Sequence, residues 1–105
     1  MNWSENMTLE KQFEEELLQK YEEAEEKCGY KATRLIQNIS KYGGVKTVKE
    51  ILRKGRLSDG FEKLQEAGLL ALTMEATVIE QKYATLFDDE EVNACYELLC
   101  EYGYY

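Results

Sequence analysis

The chain has 105 residues, 44% hydrophobic and 32% charged, with a formal charge of −8. That size sets a single domain with a modest core, and eight Tyr, three Phe and one Trp exclude a disordered chain. The absence of histidine excludes Ser–His and Cys–His nucleophile pairs, zincin motifs and the Glu-x-x-His signature of di-iron bundles.

Residues 1–7 are expected to be a flexible N-terminus. The first helix is predicted from about Thr8 to Lys27. Leu9, Phe13, Leu17, Tyr21, Ala24 and Cys28 recur at steps of three or four and mark one face. Thr8 is the expected N-cap and Gly29 the stop. The second helix is "YKATRLIQNISKY", with Ala32, Leu35, Ile36 and Ile39 inward and Gly43 at its end. The third is predicted to begin at Thr47, because "TVKE" matches a capping box closed by Glu50. Its Val48, Ile51 and Leu52 face inward.

The fourth segment, "SDGFEKLQEAG", takes Ser58 as cap and buries Phe61 and Leu64. The fifth is expected from Thr73 to Lys82, after a short extended "LLALT". The sixth opens at "DDEE", with Asp88 as cap and Glu91 three residues on, and runs to Gly103. "FEKLQEAGLL" has the look of the third helix of a winged helix, but the following stretch reads as helix and not as the strands of a wing. The expectation is an all-α single domain, a compact bundle of five or six short helices.

The longest mostly apolar run, "AGLLALTM", is far short of the roughly 18 residues of a membrane span. No basic flank precedes an apolar stretch at the N-terminus, so no secretory signal is expected, and the expected location is cytoplasmic. Cys28, Cys95 and Cys100 have neither metal-type spacing nor even number. No Gly-rich phosphate loop is present, since "GGVKT" lacks P-loop spacing. Neither cofactor nor metal is expected, and the protein is read as a non-enzyme. Glu75 is the acid to watch, because it stands in the apolar run "LLALTMEATVI". Its first expectation is a helix-dipole partner, its second a buried functional acid.

Charge divides the chain. Residues 1–30 carry a net −6, residues 31–57 a net +7, and residues 58–105 a net −9. Lys31, Arg34, Lys41, Lys46, Lys49, Arg53, Lys54 and Arg56 face a single acid, Glu50, within that middle block. Lys49 and Arg53 share a helix face, as do Lys31 and Arg34. If the two helices form a hairpin through "YGGVKT", these residues make one patch. The plainest explanation is that the block balances the acidic helices around it. A functional patch meets either an acidic protein or, as the alternative, the phosphates of a nucleic acid. The net charge weighs against the polyanion. Conversely, Glu14, Glu15, Glu22, Glu25 and Glu26 give the first helix a carboxylate surface that could imitate a phosphate track and occupy a basic cleft. The expected function is therefore protein–protein interaction, regulatory or inhibitory, with an inhibitor in the traffic between phage and bacterial defence as one form of it.

The ordered motifs Gly-Tyr-x-Ala-Thr at 29–33, Gly-Gly at 43–44, Ser-Asp-Gly-Phe-x-x-Leu at 58–64, Thr-x-Glu-Ala at 73–76 and Tyr-Gly-Tyr at 102–104 resemble a widespread family of small uncharacterised bacterial proteins. The resemblance covers residues 13 to 104 and implies a stand-alone helical domain. This chain departs from the pattern at Leu69 and Ala71, where similar sequences carry Arg and Asp. If those charges carry the family's role, this member has lost or altered it.

Overall fold

The structure is a computed structural model and describes residues 8–104; the expected flexible segment 1–7 lies outside them. It contains α1 (Leu9–Cys28), α2 (Thr33–Tyr42), α3 (Gly44–Arg53), α4 (Phe61–Glu66), α5 (Met74–Val78) and α6 (Asp89–Glu101), with 3-10 turns at Leu70–Leu72 and Gln81–Leu86. No strand occurs among the described residues. The chain is an all-α domain.

Helix α1 is the spine. Phe13, Leu17, Tyr21 and Ala24 are buried on one side, at the i, i+4, i+8, i+11 spacing of a single helix face. Each large side chain there contributes about 1.5–3 kcal/mol of burial. Leu35, Ile39, Val48, Met74, Val78, Tyr83, Phe87 and Cys95 join the same core. Phe13 meets Tyr83 and Phe87 edge-on, each with ring centroids 5.1 Å apart, an arrangement that matches their quadrupoles. A smaller cluster of Phe61, Leu70, Ala76 and Leu99 lies with Tyr102, which stacks edge-on against Phe61 at 5.0 Å.

The helix ends follow local chemistry. The Thr8 hydroxyl accepts from Lys11 N–H, and Gly29 closes α1 at φ +74°. Asp88 and Glu91 form the expected capping box of α6. Two other expected caps are corrected. Helix α3 begins at Gly44, three residues before Thr47. The Thr47 hydroxyl instead donates to the Asn38 carbonyl at 3.0 Å, and Glu50 turns to Arg53. The earlier start is possible because Gly43 takes φ +91° and because the Glu14 carboxylate accepts from Gly44 N–H at 3.0 Å. A side chain at Gly44 would stand 3.0 Å from Glu14 Cα, so glycine sets how closely α1 and α3 approach.

Ser58 is likewise no cap. Helix α4 starts at Phe61 behind Gly60, and Ser58 is buried with its hydrogen bonds directed to Glu75. The long fifth helix is also shorter than expected. It ends at Val78; Glu80 is extended (ψ 131°) and a 3-10 turn follows. The break lets Tyr83 reach Phe13, and it aims Glu80 at Lys20, 2.9 Å away. "LLALT" forms a 3-10 turn rather than an extended link.

Candidate interaction groove

Helices α2 and α3 are joined through Gly43 alone, so their exposed faces lie beside each other. On α2, Arg34, Asn38 and Tyr42 stand four residues apart; on α3 and its C-cap, Lys46, Glu50 and Lys54 do the same. Spacing of four keeps each trio on one side of its helix. Both trios line one groove of about 630 Å³, whose remaining lining includes Leu35, Thr47, Ile51, Arg56, Leu57 and Asp59. Each trio spans nine residues, or about 12 Å from first to last.

Four cations in this groove meet two acids. Lys54 is 3.7 Å from Glu50. Arg34, Lys46 and Arg56 form no ion pair among the described residues. Glu50 is already engaged by Arg53, whose hydrogen bond holds its carboxyl below the usual range. Asp59 accepts from the Tyr30 hydroxyl, and that bond raises the Tyr30 phenol to about 12. Tyr42 is 52% exposed. Its ring lies 5.3 Å from Lys41 Nζ and 6.0 Å from Lys46 Nζ, close enough for a cation–π attraction.

A second cleft, about 1000 Å³, opens on the other side of α3 between the N-terminal parts of α1 and α6. It is larger, but most of its charges are satisfied. Lys11 pairs with Glu14, Lys49 with Glu91 and Arg53 with Glu50. Lys49 also lies 5.3 Å from the Phe87 ring. Paired charges offer a ligand little, because their partners must first be displaced. The smaller groove is therefore the better candidate.

The basic residues singled out in the sequence thus fall into three places. Arg34, Lys46, Lys54 and Arg56 share the groove, with Lys46 reaching both sides of α3. Lys49 and Arg53 face the other cleft, and Lys31 and Lys41 are exposed but line neither. Sequence reasoning missed Asn38 and Tyr42, although their four-residue step from Arg34 was visible.

The acidic face of α1 is narrower than expected. Glu14 is a structural group; its burial is outweighed by Lys11 and the Gly44 amide, which together lower its pKa. Glu15 is half-buried, 3.9 Å from Lys11, while Glu22, Glu25 and Glu26 are exposed. Glu75 is fully buried. Burial pushes its carboxyl up, against the bonds it accepts from Ser58. The helix-dipole role is thus overtaken by a tertiary contact. Leu69 packs partly buried on the core and Ala71 is exposed; neither lines the groove.

No helix among the described residues is long and apolar enough to cross a membrane. No family model, curated protein or solved structure matches the chain.

Proposed function

We propose that the protein is a non-enzymatic binding module whose α2–α3 groove takes an acidic segment of a partner protein. The observation that carries this reading is the set of three cations in one groove, Arg34, Lys46 and Arg56, that form no ion pair among the described residues. Side chains of that kind keep their charge available to an incoming carboxylate. The half-buried Ile51 and Leu57 and the exposed Tyr42 supply apolar contact between the charges, which suits a peptide carrying both carboxylates and hydrophobic side chains. A phosphate track suits the groove less well. It would run against Glu50 and Asp59, and the field of a chain with charge −8 repels it. Kinship with the small bacterial helical family belongs to the same proposal, as do a regulatory or inhibitory role and a cytoplasmic setting.

Fluorescence anisotropy tests the reading with a short labelled peptide of glutamates interspersed with leucines, alongside single- and double-stranded DNA and RNA. The expected result is peptide binding that weakens with salt and falls at least about tenfold, or ~1.4 kcal/mol, in Arg34→Glu/Arg56→Glu. Nucleic-acid binding with a steep salt slope would replace the protein partner by a phosphate backbone. Binding of neither probe, even at low salt, would refute the groove as a site.

A further inference from the structure

The groove has one wall that is not a helix. Residues 54–60 link α3 to α4, and Arg56, Leu57 and Asp59 from this loop line the groove. Ser58, in their midst, points the other way and is 4% exposed. Its amide donates to Glu75 Oε2 at 2.9 Å and its hydroxyl to Glu75 Oε1 at 2.6 Å. Glu75 belongs to α5, every residue of which is buried, so its backbone is a fixed point.

A buried carboxylate with no cation is a costly choice for a core. Glu75 has no ion pair among the described residues. An apolar side chain would fill the same space without the desolvation penalty. What it could not do is hold the two donors of one loop residue at once. A fork of two oxygens on two donors fixes orientation as well as distance. Around Ser58, Arg56 and Asp59 then line the groove, while Leu57 lines it and also packs on the smaller core cluster. From outside, Tyr30 holds the neighbouring Asp59, so the loop is fastened on both faces.

We propose that Glu75 is the positioning residue of the groove: through Ser58 it sets the Arg56–Asp59 wall and so the placement of the Arg56 cation. This inference rests on the groove being the binding site. It is tested with Glu75→Leu, Glu75→Gln and Ser58→Ala, by anisotropy with the glutamate–leucine peptide and by amide hydrogen exchange. Glu75→Leu removes both acceptors; peptide affinity should fall about tenfold. Exchange should rise across 56–60 while the amides of α1 and α6 keep their protection. Glu75→Gln retains an acceptor for the Ser58 amide and offers its own amide to the hydroxyl, so it should bind within about threefold of the parent.

If Glu75→Leu does not fold, Ser58→Ala decides, since it removes one bond of the fork. Faster exchange confined to 56–60, with weaker peptide binding, supports the inference. A folded Glu75→Leu, or failing that Ser58→Ala, with unchanged loop exchange or unchanged affinity would overturn it, as would protection lost evenly over the whole chain. If the parent protein binds no peptide, the functional reading fails, and the exchange data alone decide whether Glu75 sets the loop.

Discussion

The contrast between Gly60→Ala and Gly29→Ala isolates a steric contact that shapes the groove wall. Both glycines have left-handed backbones, φ +83° and +74°. A methyl group at Gly29 meets nothing within 4 Å, whereas at Gly60 it would stand 2.7 Å from Cδ2 of Tyr30 and closer still to Cε2. Gly29→Ala bears only the backbone strain, about 1–2 kcal/mol, reduced by about 0.4–1 kcal/mol through a stiffer unfolded chain. Gly60→Ala bears the same and adds about 1–3 kcal/mol of overpacking. The expected losses are therefore about 1 and about 2–4 kcal/mol. With a urea slope of about 1.5 kcal/mol/M, the midpoints fall by roughly 0.7 M and roughly 1.3–2.7 M. Tyr30→Ala should make room, so that adding Gly60→Ala to it costs no more than Gly29→Ala does in the parent. Such a cycle measures the contact directly. Equal midpoints for the two single variants, or no coupling between positions 30 and 60, would refute the packing of Tyr30 over Gly60.

Three further outcomes are expected. Burial works against Glu16, yet its hydrogen bonds with Glu80, Lys82, Tyr83 and Lys20 bring it down to about 2 from 4.5. Its stabilisation is full above pH 4.5 and drains away as pH falls toward 2. Glu80, raised by burial and by Glu16, acts in the opposite sense. Urea midpoints between about pH 5 and 2 should show a flatter acid limb in Glu16→Gln than in the parent. Tyr83→Phe removes a hydroxyl that donates to Glu16 at 2.7 Å and should cost about 1.5–3 kcal/mol in chemical denaturation. It should also remove one of the phenols that ionise near pH 12 in an alkaline absorbance titration, Tyr30 being the other. Cys100 is exposed and Cys95 buried, with burial and the charges of Glu75 and Glu91 pushing the Cys95 thiol up to about 12. An aromatic disulfide reagent should label Cys100 in the native protein and Cys95 only at the rate of unfolding.

Much of the fold was legible because it is local. The apolar period of α1, the Thr8 cap and the Asp88–Glu91 box are each contained within a few residues. The misread starts share one cause. Thr47 and Ser58 carry side chains that suit a cap, but each hydroxyl found a more distant partner, Asn38 and Glu75. A sequence pattern offers the bond; tertiary packing decides who accepts it. The break after Val78 has the same origin, since Tyr83 and Glu80 are placed by Phe13 and Lys20 of α1. At the candidate site, the accumulation of positive charge was visible, but its division was not. Whether a lysine is free depends on which acid stands across from it, and Glu91, which engages Lys49, is 42 residues away.

The partners of Phe13 have a consequence for the chain during its synthesis. Helix α1 is made early, yet the rings that cover Phe13 arrive about 70 residues later. At ~5–20 residues per second, its apolar face waits roughly 4 to 14 s for a lid. The α2–α3 pair can cover part of it sooner, through Leu35, Ile39 and Val48. Until Tyr83 and Phe87 leave the ribosome, the nascent chain carries an open hydrophobic strip on a helix whose other faces expose Glu22, Glu25 and Glu26. Charges of like sign on neighbouring chains repel one another, so the acidity of α1 opposes association of unfinished chains through that strip.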